Sequence, residues 1–176
     1  TTVVDRFEGK RFHSPNDLIL HSNGDLYFTD PPYGLKGDDD PLRELATNGV
    51  YRLSKNGELS LLYSQLNRPN GLALSPDEKT LYVANSDAKR NLWMAFDLVE
   101  GKLLNERVFF DATSIDRPGL ADGMKVNKNG YVFATGPGGV LVFSPQGKHL
   151  GTILTEERTA NCAFNEDESV LYMTVM

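Results

Sequence analysis

The chain has 176 residues, of which 40% are hydrophobic and 24% charged, a composition typical of a globular domain rather than of a disordered segment. Its formal net charge is −6 and it has no run of Lys and Arg, which argues against a nucleic-acid partner because phosphate binding needs clustered basic residues. No apolar stretch approaches the ~20 residues of a membrane-spanning helix, and the single cysteine, Cys162, excludes an intrachain disulfide.

Four segments share one pattern and form an internal repeat. Each begins with Asn or Asp after Pro or Ala, continues through a short apolar run and a polar turn, and ends in a strand rich in Tyr, Phe, Val and Leu. In chain order the segments are PNDLILHSNGDLYFTD (15–30), PNGLALSPDEKTLYVAN (69–85), ADGMKVNKNGYVFATG (121–136) and ANCAFNEDESVLYMTV (160–175). Their first polar residues, called the anchor residues from here on, are Asn16, Asn70, Asp122 and Asn161.

Further strands are predicted between the repeats, separated in pairs by the turn signals KNGE, VEGK and PQGK. We interpret residues 38–48 as an insertion loop, and no segment has the apolar periodicity of an amphipathic helix. Each unit therefore holds about four short strands. The additional strand candidates are GVYRLS (49–54), LSLLYSQ (59–65), NLWMAFDL (91–98), RVFFDA (107–112), GGVLVFSP (138–145) and HLGTILT (149–155).

Four antiparallel strands in a repeat of roughly 40 to 50 residues predict an all-β fold and favour a β-propeller. The physical reason is that radially arranged blades cover one another's faces, which an isolated four-stranded sheet leaves exposed. The length allows about three to four blades, at the low edge of the usual range, and no strand follows LYMTVM at the end of the last repeat. We therefore expect residues 1–176 to form a single β-propeller domain that is partial; a compact β-sandwich is the alternative.

The anchor residues have two possible interpretations. Asn-Gly and Asp-Gly are ordinary turn dipeptides, so Asn70 and Asp122 could be turn residues alone. If each anchor instead begins the innermost strand of its blade, Asn16, Asn70 and Asp122 would converge on one central channel. Their oxygens suit a hard cation such as Ca²⁺, and the candidate ligands contain no Cys and His cluster of the kind that a structural zinc site needs.

The repeats resemble those of the family of gluconolactonases and senescence marker protein 30, also called regucalcin, over nearly the whole chain. SPNDLILHSNGDLYFTDPPYGL is similar to the bacterial gluconolactonase branch in particular, and RPNGLALSPDEKTLYVANSD, ADGMKVNKNGYVFATG and TANCAFNEDESVLYMT are similar to its next blades. The resemblance implies a six-bladed propeller with a divalent cation in its central channel. It also implies that this chain lacks the first blade and the C-terminal blades.

The resemblance also implies a set of metal ligands. The asparagine of a PNG motif and the aspartate of a DG motif correspond to Asn70 and Asp122, and Asn16 matches a channel asparagine that binds either metal or substrate. We expect Asn70 both to make a turn and to face the cation. The family's glutamate ligand, in an EGP motif, has no counterpart, since Glu8 is followed by Gly-Lys and lies too close to Asn16. Ser14 stands where some members have a substrate-binding arginine.

The activity implied is that of a hydrolase that opens sugar lactones such as gluconolactone, with Ca²⁺ as the expected cation and Zn²⁺, Mg²⁺ and Mn²⁺ left open. Asp122, the only charged anchor, is the expected general base, and Asn16, Asn161 and Tyr33 are expected to bind substrate. An esterase or phosphotriesterase of the same superfamily and a non-catalytic, incomplete propeller are the alternatives. We expect a small-molecule lactone as the partner, no nucleic acid and no membrane. The sequence leaves the compartment open between the cytoplasm and the periplasm.

Overall fold

The computed structural model describes residues 2–37 and 39–176, and these form antiparallel sheets that follow one another along the chain. The first sheet contains β3 (Leu18–Leu20), β4 (Leu26–Asp30), β5 (Gly49–Leu53) and β6 (Leu59–Tyr63). The second contains β7 (Pro69–Leu74), β8 (Thr80–Asp87), β9 (Arg90–Val99) and β10 (Lys102–Asp111). The third contains β11 (Met124–Val126), β12 (Val132–Gly136), β13 (Gly139–Phe143) and β14 (His149–Leu154). A short hairpin, β1 (Arg6–Phe7) and β2 (Lys10–Arg11), precedes them, and a terminal hairpin, β15 (Thr159–Phe164) and β16 (Leu171–Val175), follows.

The all-β prediction is confirmed, since strands pair in chain order within each four-stranded sheet. The described residues contain no α-helix, and so none that could cross a membrane. Residues 39–48 of the predicted insertion loop form turns and bends, while Asp38 lies outside the described residues. The hairpin of β1 and β2 is an element that the repeat pattern did not predict.

The second sheet is covered by apolar side chains on both faces. Successive residues of a strand point to opposite faces, and along β8 Leu81 and Val83 join one buried cluster while Tyr82 and Ala84 join the other. The first cluster is shared with the first sheet and the second with the third sheet. Trp93, completely buried, belongs to the second cluster, which the second and third sheets share.

Hydroxyl groups link consecutive sheets at the ends where the anchor residues lie. In each case a hydroxyl near the end of a sheet's second strand donates a hydrogen bond to a backbone carbonyl near the start of the next sheet's first strand. The three bonds are Thr29 to Asn70 (2.8 Å), Ser86 to Ala121 (2.5 Å) and Thr135 to Ala160 (3.1 Å). The innermost strands β3, β7, β11 and β15 consequently lie side by side, which brings the anchors to one end of the fold.

Asp25, in the turn between β3 and β4, stabilises the outer end of the first sheet. Its buried carboxylate accepts hydrogen bonds from Arg52 Nε at 2.7 Å and from the Lys55 backbone N–H at 3.0 Å. Burial alone would raise the pKa of Asp25, but the bonds from Lys55, Arg52 and Asn23 outweigh burial and hold this pKa below its ordinary value of 3.8.

We expect Asp25→Asn to lower the free energy of unfolding by about 2 kcal/mol at pH 7, as measured by urea denaturation. Because the folded-state pKa lies below the unfolded one, the carboxylate stabilises the fold above pH 3.8, and this contribution is lost as the pH falls through the folded-state pKa. The difference between variant and wild type should therefore shrink in acid. Asp116→Asn, at an exposed loop position, is the matched control and should show no such difference.

Candidate active site

Two adjoining cavities lie where the innermost strands converge. The smaller, of about 230 Å³, is lined by Asn16, Asn70, Asp122 and Asn161 together with neighbouring backbone. The larger, of about 680 Å³, shares Asn16, Asn70 and Asp122 with the smaller one and adds Tyr33. The structure thus places every site residue proposed from the sequence on one or both cavities, and the larger has the volume of a small-molecule site.

Asn70 lies within β7 and not in a turn, so the expectation that it makes a turn is wrong. The pairing of β7 with β8 shifts register between Pro69 and Leu72, which is a β-bulge. Bulges re-aim side chains, and this one explains how a strand residue is directed into the cavity. The Asn70 side-chain amide is buried and donates hydrogen bonds to the Tyr33 hydroxyl at 3.1 Å and to Ser86 Oγ at 3.3 Å.

Asp122 precedes β11, and its largely buried carboxylate has a strongly perturbed pKa. The pKa of Asp122 is raised from its ordinary value of 3.8 to about 6: burial is the largest cause, hydrogen bonds from the Gly123 N–H and the Asn70 side chain oppose it, and the nearby charge of Asp17 adds to it. A carboxylate whose pKa is shifted toward neutrality, in a cavity, has the properties of a general base.

Asp17 is a cavity residue that the repeat pattern did not indicate. It lines the smaller cavity with Asp122, and its carboxylate accepts hydrogen bonds from the backbone N–H groups of Leu18 at 2.8 Å and Leu72 at 3.2 Å. The bond from Leu72 links the start of β3 to β7. In the other repeats the residue after the anchor is small: Gly71, Gly123 and Cys162. The charged residue at a repeat position that is otherwise small is the feature of the sequence that could have indicated Asp17 as a cavity residue.

The three predicted substrate-binding residues differ in their surroundings. Asn16 is exposed and lines both cavities, and Tyr33, 40% exposed, lies in the loop after β4 with its hydroxyl on Asn70. Asn161 lines only the smaller cavity, and its Oδ1 accepts a hydrogen bond from the Cys162 N–H at 2.8 Å. Tyr33 and Asn16 can therefore contact a ligand in the larger cavity, whereas Asn161, which is also exposed, can contact one only in the smaller cavity.

The donors that converge on the smaller cavity are oxygens. Over residues 2–37 and 39–176, no group of three or more His, Cys, Asp or Glu side chains is arranged to hold a metal ion. Asn16, Asn70 and Asp122 instead offer two amide oxygens and one carboxylate, a donor set that fits a hard cation such as Ca²⁺ better than a thiolate-seeking metal. The buried negative charge of Asp122, raised in energy by Asp17, also fits a cation-binding position.

The amino-acid sequence matches a known family along its whole length. The family model of the SMP-30/gluconolactonase/LRE-like region matches residues 1–176. This chain belongs to the SMP-30/gluconolactonase family. It is 45% identical to a gluconolactonase from Zymomonas mobilis over 99% of this chain and 51% of that protein. The chain therefore spans about half the length of the curated relative.

Solved structures of SMP-30/gluconolactonase relatives have the same fold. A gluconolactonase from Xanthomonas campestris superimposes with a TM-score of 0.86 at 39% identity, over 98% of this chain and 57% of that one. Regucalcin from Agrobacterium tumefaciens, a calcium-binding protein, superimposes with a TM-score of 0.71 at 25% identity, over 91% of this chain and 52% of that one. The family resemblance indicated by the repeats is thus confirmed, and the fold is that of propeller-type relatives.

Proposed function

We propose that the full-length protein is a divalent-cation-dependent hydrolase that opens sugar lactones such as gluconolactone, and that residues 1–176 supply part of its active site. The observation that carries this proposal is the convergence of Asp122 with Asn16, Asn70 and Asn161 on one cavity. The similarity to gluconolactonases supports the lactone, and the similarity to a calcium-binding regucalcin supports Ca²⁺ ahead of Zn²⁺, Mg²⁺ or Mn²⁺.

Asn16, Asn70 and Asp122 are the residues of this chain that would hold the cation. When bound, a divalent cation would polarise the lactone carbonyl and stabilise the negative charge that develops on its oxygen. The neighbouring Asn70 side chain lowers the pKa of Asp122 and so favours its ionised form.

Asp122 acts as the general base in this proposal. Its carboxylate accepts a proton from the water molecule that attacks the lactone carbonyl carbon. The ring C–O bond then breaks, and Asp122 returns the proton to the departing ring oxygen, which gives the open-chain hydroxy acid and regenerates the carboxylate. Asn16, Asn161 and Tyr33 hold the sugar hydroxyls so that the carbonyl faces Asp122.

A six-bladed ring is part of the proposal, with the three four-stranded sheets and the terminal hairpin as about half of it. Exposed apolar side chains on the first sheet and on the terminal hairpin support the proposed ring. Each is more than half exposed: Leu18, Leu20, Tyr172 and Val175. Neighbouring blades would cover these side chains, which in isolation would favour aggregation. The glutamate ligand implied by the family would come from the rest of the gene product.

Removal of the cation tests the proposal on the full-length protein. After treatment with EDTA we expect the enzyme-dependent rate of gluconolactone hydrolysis, followed by acid release, to fall at least about tenfold, because the charge on the carbonyl oxygen loses its stabilisation. Added CaCl₂ should restore the rate and raise the thermal melting midpoint, whereas NaCl at equal ionic strength should do neither.

Two results would contradict different parts of this proposal. Full activity in EDTA would exclude cation dependence while leaving a lactonase. No lactone hydrolysis with any added divalent cation would exclude the lactonase itself. In the second case, aryl esters and phosphotriesters in the same assay would identify the alternative hydrolase.

A further inference from the structure

Three arginine side chains, Arg68, Arg117 and Arg158, line the larger cavity. Among the described residues that line it, Asp122 has the single acidic side chain, although the chain as a whole has a formal net charge of −6. The positive charge is therefore concentrated locally, against the overall charge balance. A solvent-exposed arginine needs no explanation by itself, but the convergence of three on one ligand-sized cavity does.

The arginines reach the cavity because, like the anchor residues, they lie at or before the starts of the innermost strands. Arg68 immediately precedes β7, Arg158 immediately precedes β15, and Arg117 lies in the loop that leads to β11. Each therefore stands at the entrance to an innermost strand of a different sheet. Because the innermost strands lie side by side, residues from three distant parts of the sequence line the same opening.

The three guanidinium groups form no ion pairs within the described part of the chain. None of the three has a side-chain hydrogen bond or a salt bridge there. Arg68 lies close enough to Asp87 to lower the pKa of that carboxyl, after hydrogen bonds from Asn67 and Lys89, but Asp87 does not line the larger cavity. The donors of these arginines are thus available to a ligand.

The exposed side chain of Arg117 lies against Gly138. A Cβ added to Gly138 would lie 2.7 Å from Arg117 Cδ, so the arginine stem lies directly over this glycine. Glu156 and Glu157 line a small cavity of about 70 Å³ that Arg117 and Gly138 also line, and among the described residues neither glutamate forms an ion pair with Arg117. The absence of a side chain at Gly138 therefore leaves room for Arg117 beside the larger cavity.

We propose that Arg68, Arg117 and Arg158 bind an anionic substituent, a phosphate or a carboxylate, on the lactone substrate. This inference rests on the proposed function and deepens it by naming the substrate class. A planar guanidinium donates paired hydrogen bonds to either anion, and three from different segments can surround one such group. Held there, the substituent leaves the lactone ring directed toward Asp122, which lines the same cavity.

The test compares substrates on the full-length protein. We would measure kcat/KM for glucono-1,5-lactone and for 6-phosphoglucono-1,5-lactone, which differ only by the phosphate, and for glucaro-1,4-lactone, which carries a carboxylate. The wild type should prefer at least one anionic lactone by about tenfold or more, and the preferred one identifies the anion. Equal or lower kcat/KM for both anionic lactones would overturn the proposal.

Single replacements assign the preference to the arginines. Arg68→Gln, Arg117→Gln and Arg158→Gln should each lower the anionic-to-neutral ratio of kcat/KM by about tenfold and change the neutral value less than about twofold. Arg107→Gln is the matched control, since it removes the same charge from an exposed pair with Asp97 in the second sheet. Its ratio should equal that of the wild type.

Arg117→Lys is a second variant that keeps the test valid if Arg117→Gln fails to fold. Lysine keeps an apolar stem over Gly138 and the positive charge, but it lacks the paired N–H donors of arginine. Its circular dichroism spectrum and melting midpoint should match the wild type, while its anionic-to-neutral ratio falls. A parallel loss with neutral and anionic lactones, or a lower midpoint with an unchanged ratio, would mean that the arginines only stabilise loops and would overturn the proposal.

Binding separates this inference from the proposed reaction. If no lactone is hydrolysed, the proposed function fails, and 6-phosphogluconate is then titrated into wild type and the Arg117→Gln/Arg158→Gln variant by calorimetry. Binding that weakens about tenfold or more in the variant would still support the arginine site. Equal affinity in both proteins, or none in either, would overturn it.

Discussion

Replacement of Asp122 by Asn in the full-length protein should lower kcat for gluconolactone hydrolysis by roughly a thousandfold. Asparagine keeps the size of the side chain and one oxygen, but it can neither accept the proton of the attacking water nor offer a negative charge to a cation. The initial rate of acid release at saturating lactone measures the effect. Loss of folding should not contribute, because the Asp122 carboxylate is largely buried, as its pKa of about 6 reflects, and a neutral amide is cheaper to bury.

Asp97→Asn is the control for this substitution, since it removes one carboxylate from an exposed pair with Arg107, outside both cavities. It should keep the wild-type kcat, and both variants should keep the wild-type circular dichroism spectrum. A folded Asp122→Asn enzyme that retains more than about a tenth of kcat would exclude Asp122 as the general base. The base would then have to be sought elsewhere, with Asp17 as the nearest carboxylate on the smaller cavity.

Strands with clear alternation or strong β-formers could be predicted from the sequence, and irregular ones could not. NLWMAFDL (91–98) lies within β9, which extends from Arg90 to Val99. The next strand, β10, begins at Lys102, although RVFFDA (107–112) was the predicted segment. Two register shifts interrupt its pairing with β9, and Asn105 has a φ of 49°. A residue in the left-handed region breaks the alternating pattern, so KLLNE resembles a loop in sequence.

Internal repetition made the anchor positions predictable, because equivalent residues of a repeat occupy equivalent places in the fold. The structure brings Asn16, Asn70, Asp122 and Asn161 to one cavity for that reason. Features that the repeats do not share could not be predicted in this way. The arginines of the larger cavity lie at different distances along the chain from their anchors, and the bulge at Asn70 is a shift in the pairing of β7 with β8 that the first and third sheets do not share between their first two strands. Neither feature leaves a local signature in the sequence.

Gly71 illustrates a requirement set by the neighbouring sheet. A Cβ added to Gly71 would lie 2.2 Å from the carbonyl oxygen of Asp122 and 2.8 Å from its carbonyl carbon. The φ of Gly71 is not in the left-handed region, so the glycine is needed for space and not for conformation. The obstructing atoms belong to backbone that is itself anchored, since the Asp122 N–H donates a hydrogen bond to the Thr135 carbonyl at 3.1 Å.

Gly71→Ala should therefore destabilise the protein by about 3 kcal/mol, measured by urea denaturation, and should impair lactone hydrolysis because the backbone that carries Asp122 must shift. Gly151→Ala in β14 is the control: its added Cβ would meet nothing within 4 Å, and its stability should stay within about 1 kcal/mol of wild type.

Gly123→Ala tests whether an added Cβ that meets a side chain costs less stability than one that meets backbone, as at Gly71. Its added Cβ would lie 2.2 Å from Asn161 Oδ1, which belongs to a side chain that can rotate away. This variant should lose less stability than Gly71→Ala, yet it should displace the Asn161 side chain from the wall of the smaller cavity. The expected order of destabilisation is thus Gly71→Ala, then Gly123→Ala, then Gly151→Ala. If Gly71→Ala proved as stable as Gly151→Ala, β7 and the Asp122 backbone could not be in contact, and the joint action of Asn70 and Asp122 on one cation would lose its structural basis.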